Sequence, residues 1–221
     1  GEYRVAVRRC AGDGLHGDRA GGARTVLHDH RAAPGLSEIL RNRTSVEPAD
    51  PIGLDLEKDE PRLYPLIYWP ITATQPTLSP KASAALDRYL RTGGILFIDT
   101  RDQQMTFDKP AGGNPDLKRL LGGIETPPLV AMPPDHVLTK SFYLLSDMPG
   151  RWTGGKVWIE SGTGRVNDGV TTIIIGANDY AGAWAVDQRG RGLLANEACE
   201  QCAPRRPAHN QIDRAGTPRW R

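Results

Sequence analysis

One stretch limits the fold of this chain more than any other. Residues 63–70, "LYPLIYWP", form a compact apolar run with Pro65 near its start and Pro70 at its end. Its length and content suit a short strand buried on both faces. Residues 78–94, "LSPKASAALDRYLRTGG", carry helix signals at both ends. Ser79 is a good N-cap and Pro80 falls at the first helical position. Ala82, Leu86, Tyr89 and Leu90 make one apolar face, and Gly93 or Gly94 supplies the stop. Residues 95–99, "ILFID", then read as a second buried strand. Strand, helix, strand is the βαβ unit of a parallel sheet, with a right-handed crossover expected. An α/β class follows.

The rest of the chain extends this plan. "EYRVAVR" (2–8) alternates and predicts a first strand. "GLSEILRNRT" (35–44) predicts one or two helical turns, with Leu36, Ile39 and Leu40 at helical spacing. Asn114 and Pro115 open a helix in "NPDLKRLLGG" (114–123). The Pro-rich "ETPPLVAMPPDH" (125–136) reads as a connection. "KVWIE" (156–160) and "GVTTIIIGAND" (169–179) read as strands, and "AGAWAVDQRGRGL" (181–193) as a further strand and turn. Residues 8–34 are rich in Gly, Ala, Arg and His without sustained periodicity. Residues 195–221 lose the core pattern and end Arg-rich, which reads as a mobile tail. A single domain over 1–194 plus that tail is the expected organisation.

Composition narrows the classes. With 221 residues the chain can bury a real core. A formal charge of +2 is too small to argue for nucleic acid. No stretch approaches the roughly 18 apolar residues of a membrane span, and the opening residues lack the apolar core of a signal peptide. The three cysteines, Cys10, Cys199 and Cys202, do not make a disulfide scaffold.

Five groups of residues can carry chemistry. Asp99, Arg101 and Asp102 follow a parallel strand, at the edge where open α/β sheets bind ligands. They bind a ligand or partner there, or else Asp99 caps the next loop and Arg101 pairs with a neighbouring aspartate. The second group is His136 with Lys140 and Ser141, in "PPDHVLTKSFYLL" (133–145). No glycine-flanked elbow exposes Ser141. If the run is extended, His136, Leu138 and Lys140 share one side and Val137, Thr139 and Ser141 the other. Recognition or a structural role is then favoured over catalysis. Asn178 and Asp179, after the strand "TTIIIG", join the same edge as Asp99 or serve only the turn; Trp184 reads as core. Cys199 and Cys202 with His209 offer zinc-like spacing, but one pair and one histidine leave no clear fourth ligand. No metal and no cofactor are therefore expected. Asn42, in "NRT", is a glycosylation sequon, a three-residue motif that carries no weight by itself.

Blocks running through the chain in order carry a resemblance: "RTSVEP" (43–48), "LYPLIYWP" (63–70), "LDRYLRTGGILFIDTRD" (86–102), "PPDHVLTKSFYLL" (133–145) and "GANDYAGAWAVD" (176–187). In these the chain resembles a bacterial family of unknown function, domain-of-unknown-function family 4159. The resemblance implies a flavodoxin-like fold related to class I glutamine amidotransferases, a mostly parallel sheet with helices on both faces. It also implies full-length relatives anchored in the inner membrane, with protein partners in that system, while this chain itself carries no span. Residues 8–34 and the tail depart from the family pattern, through either an altered reading frame or divergence into loops. Amidotransfer needs a cysteine nucleophile on a sharp turn after a strand. The turn after "ILFID" has Thr100, Arg101 and Asp102 instead. The leading expectation is a non-catalytic domain for recognition or assembly. The alternative is a hydrolase or small-molecule binder using Asp99, Asp102 and His136 at the sheet edge.

Overall fold

A computed structural model describes residues 5–8, 35–38, 40–41, 45, 47–48, 51–72, 75–102, 114–140, 144–148, 150–161 and 170–185. The strands are β1 (Val5–Arg8), β2 (Ile52–Leu54), β3 (Leu66–Pro70), β4 (Ile95–Asp99), β5 (Leu129–Ala131), β6 (Trp158–Glu160) and β7 (Ile173–Gly176). Residues 35–38 form α1, with helical backbone again at 40–41. The other helices are α2 (Pro80–Arg91), α3 (Pro115–Leu121), α4 (Val137–Lys140) and α5 (Tyr180–Trp184). The strands make one sheet in the order β2-β1-β3-β4-β7-β6-β5. β2, β1, β3, β4 and β7 run parallel, and β6 pairs antiparallel with both β7 and β5.

The βαβ unit forms as its residues dictate. Ser79 Oγ accepts from Ala82 N at 3.2 Å, satisfying an orphan donor of α2. Gly93, with φ of +89°, ends the helix in a conformation glycine adopts without strain. Side-chain alternation then divides the central strands between two cores. Ile67, Trp69, Leu96, Ile98, Ile173 and Ile175 meet Leu86, Tyr89 and Leu90 of α2 and Leu120 of α3 on one face. Tyr68, Phe97 and Ile174 meet Tyr180, Ala181 and Trp184 of α5 and Leu138 of α4 on the other. Each fully buried Leu or Ile contributes about 1.5–3 kcal/mol of burial. Helices on both faces explain why these strands read as unbroken apolar runs.

Four local expectations need correction. The run from Val137 is helical, not extended: His136 N and Thr139 N bond back to Pro133 O and His136 O, at 3.1 and 2.9 Å. The alternation reading of His136, Leu138 and Lys140 against Val137 and Thr139 therefore does not apply. Residues 181–184, read as the start of a strand, are helical with Tyr180, because Tyr180 N and Ala181 N find side-chain acceptors in Asp99 and Tyr68 at the sheet end. β2 and β5 were not anticipated. Each is three residues long, too short to show a period, and β5 lies inside the Pro-rich connection.

Candidate functional site

The C-terminal edge of the parallel strands brings together Asp99, Arg101, Asp102, Asn178 and Asp179. Asp99 ends β4 and pairs in register with Pro70 and Gly176. Its parity in the strand matches Phe97, so it faces α5. It is wholly buried, at 0 % exposure. Tyr68 Oη donates to Asp99 Oδ2 at 2.6 Å, and Tyr180 N donates to the same oxygen at 2.7 Å. Arg101 N donates to Oδ1 at 3.2 Å. Tyr68 Oη in turn accepts from Ala181 N at 3.1 Å. Asp99 and Tyr68 thus bind the first two N–H groups of α5 to the sheet.

Burial pushes the Asp99 carboxyl up to about 6. The hydrogen bonds from Tyr68 and Tyr180 pull it down, the neighbouring Asp179 raises it, and Arg101 lowers it. Burial likewise pushes the Tyr180 phenol up. Tyr68, Phe97, Tyr180 and Trp184 pack ring on ring around this network, with Tyr68 and Phe97 edge to face at 5.7 Å. Trp184, half-buried, belongs to this core.

The flanking residues are occupied as well. Thr100 Oγ1 donates to Asp102 Oδ1 at 2.5 Å, and Asn114 Nδ2 donates to Asp102 Oδ2 at 3.0 Å. Asn114 Oδ1 meanwhile caps α3, accepting from Asp116 N and Leu117 N. Asp102 therefore ties the end of β4 to the start of α3. Arg101 has φ of 55° and sends Nη2 to Ile71 O at 3.3 Å. Asp179, φ 51°, caps α5 through Gly182 N and pairs with Arg151 at 3.5 Å. Asn178 is buried, with Nδ2 donating to Met148 O at 2.8 Å.

His136 is elsewhere. Its Nε2 lies 3.3 Å from Thr171 Oγ1, and Thr171 precedes the first residue of β7. Asp99 sits beside the last residue of β7. Five residues at about 3.3 Å each put roughly 16 Å of strand between the two levels. Asp99 and Asp102 do not converge with His136, and Lys140 is an exposed residue on the His136 side. Ser141, Asn42, Cys199, Cys202 and His209 lie outside the described residues. Among the described residues, no three His, Cys, Asp or Glu side chains gather as a metal site requires. No described helix is long and apolar enough to cross a membrane.

Sequence reasoning missed Tyr68, Tyr180, Asn114 and Arg151. A buried tyrosine hydroxyl needs a partner, so Tyr68 was the readable signal. Its partner emerges only once β3 is paired with β4.

Fold and edge together define a mixed α/β domain in which Asp99, Arg101, Asp102 and Asp179 at the strand ends are engaged by neighbouring side chains and backbone. The chain belongs to the family described as Domain of unknown function (DUF4159), whose model matches residues 19–209. No curated protein matches the chain.

Proposed function

We propose that this chain is a non-catalytic domain with a flavodoxin-like, amidotransferase-related fold, serving recognition or assembly in a bacterial membrane-associated protein. The observation that carries the non-catalytic half is the state of Asp99. It is closed to solvent and bonded to three donors, so no substrate atom reaches it without displacing α5. The turn after β4 offers Thr100, Arg101 and Asp102 where a thiol nucleophile would be needed. The fold half draws support from the order β2-β1-β3-β4-β7, which follows the flavodoxin-like 2-1-3-4-5 pattern. The membrane and partner half rests on the family resemblance.

A small-molecule binding role at the same edge is the second reading. Arg101 and Asp179 favour it: both hold positive φ at the ends of neighbouring strands, and such backbone clusters at binding sites.

The test uses the full-length natural gene product. Glutaminase and broad hydrolase assays are expected to show no turnover, and crosslinking in isolated membranes to give defined protein adducts. Robust hydrolysis that disappears in Asp99→Ala, with the fold intact by circular dichroism, would overturn the proposal.

A further inference from the structure

β5 is the last strand on one side of the sheet, and among the described residues nothing pairs with its outer edge. Its pairing with β6 fixes which backbone groups face out. Met132 N donates to Val157 O and Ser161 N donates to Pro128 O, both at 2.8 Å. In an antiparallel pair such bonds recur at every second residue. Pro128, Val130 and Met132 therefore turn their backbone groups toward β6. Leu129 and Ala131 turn theirs outward. The same alternation points Pro127 and Pro133 outward, and proline has no N–H to offer. The free edge thus presents two donors, bounded on each side by a proline.

Charge and side chains suit this edge to a strand like itself. Free edges are ordinarily guarded by charged side chains, lysine above all, as well as by proline. This one carries no charge from Thr126 to Pro134, so a copy of it brings no like charge against it. Beyond that run, Glu125 is already paired with Arg91. On the other side, His136 N bonds back to Pro133 O at 3.1 Å and puts Asp135 in a turn, off the strand line. Apolar surface reaches the edge on both faces of the sheet. Val130 lies on the α5 face with Ile159 and Ile174, and Trp158 lies beside Ala131 on the α2 face with Ile175. Both Val130 and Trp158 are 41 % exposed.

We propose that this edge pairs with the same edge of a second copy, antiparallel about a two-fold axis at Val130. Leu129 then meets Ala131 of the second copy, and all four outward N–H groups find carbonyls. Pro127 falls opposite Pro133 at the ends, so no proline lies inside the ladder. Sliding the copies by two residues sets a proline ring against the carbonyl of Leu129 or Ala131. Leu129 of the second copy extends the row that Trp158 and Ala131 begin, and Val130 faces its own copy. The contact is isologous and closes at two copies. A two-residue ladder covers less than the roughly 1,000 Å² of a stable interface, so the pair forms in a concentration-dependent equilibrium. This inference does not draw on the state of Asp99.

Sedimentation velocity of the full chain, from micromolar to millimolar concentration, is expected to show a monomer–dimer equilibrium. Ala131→Pro removes two of the four donors and puts a ring inside the ladder. The lost N–H does not serve β6, so the strand itself is kept. The dimer should weaken about thirtyfold. Hydrogen exchange at Val130, whose N–H faces β6, checks that the strand stays in place. Val130→Cys tests the register independently, with Cys10, Cys199 and Cys202 replaced by serine. The two facing Cα atoms would be about 4.5 Å apart, within reach of a disulfide, so mild oxidation should link the copies. A chain that stays monomeric at every concentration overturns the proposal. If its Leu129 and Ala131 amides are protected from exchange, another segment of the same chain covers the edge. A dimer that ignores Ala131→Pro and fails to link in Val130→Cys forms elsewhere, and overturns it equally.

Discussion

Replacing Asp99 with asparagine probes the network at the strand ends directly. Burial raises the Asp99 carboxyl from its ordinary 3.8 to about 6 in the folded chain. Between those values the folded protein holds a proton that the unfolded chain has released. The sign follows from linkage: this group's contribution to stability is fully present below pH 3.8 and is lost as pH rises through 6. At about 1.4 kcal/mol per pH unit, the loss is about 3 kcal/mol once Asp99 is ionised in both states. The asparagine of the Asp99→Asn variant cannot titrate. Its carbonyl can still accept from Tyr68 and Tyr180, while its amide faces the Arg101 N–H. That mismatch adds a constant offset of about 1–3 kcal/mol at every pH. The pH-dependent part of the difference therefore isolates the titration. Urea unfolding of both proteins from pH 4 to pH 8 measures it. The wild type is expected to lose about 2 kcal/mol relative to Asp99→Asn across that range, the rest having been lost below pH 4. A flat difference would show that burial does not govern this carboxyl. A difference that grows in favour of the wild type as pH rises would show that its three donors outweigh burial, reversing the reasoning.

Three further outcomes follow from the packing. Tyr68→Phe removes the hydroxyl that bridges Asp99 and Ala181 N, and should cost about 1–3 kcal/mol; hydrogen exchange at Ala181 should accelerate with it, and unchanged exchange would refute the bridge. Leu86→Ala empties a site with 0 % exposure and should cost about 2–5 kcal/mol by urea unfolding. Gly176→Ala places a methyl 2.6 Å from the Tyr180 ring, so near-ultraviolet circular dichroism of the aromatic cluster should change and stability fall by about 1–3 kcal/mol.

Much of this protein was readable because its signals are local. The Ser79–Pro80 start, the face of Ala82, Leu86, Tyr89 and Leu90, and the glycine stop each depend on neighbours within four residues. The two apolar runs either side of α2 reveal burial on both faces, because a strand covered by helices front and back has no polar side to alternate with. The same residues place Asp99 at a strand end without any knowledge of its partners. What tertiary structure decided is which donors find which acceptors. Asp99 lies 31 residues from Tyr68 and 81 from Tyr180, and only the register of β3, β4 and β7 brings the three together. α5 shows why a local pattern can mislead. Its five residues are too few to hold a helix alone and include Gly182, and side chains at the sheet end supply the acceptors for its first N–H groups. His136 and Asp99 look like possible partners along the chain. The parallel sheet separates them, because His136 docks beside the residues entering β7 and Asp99 beside the residue leaving it.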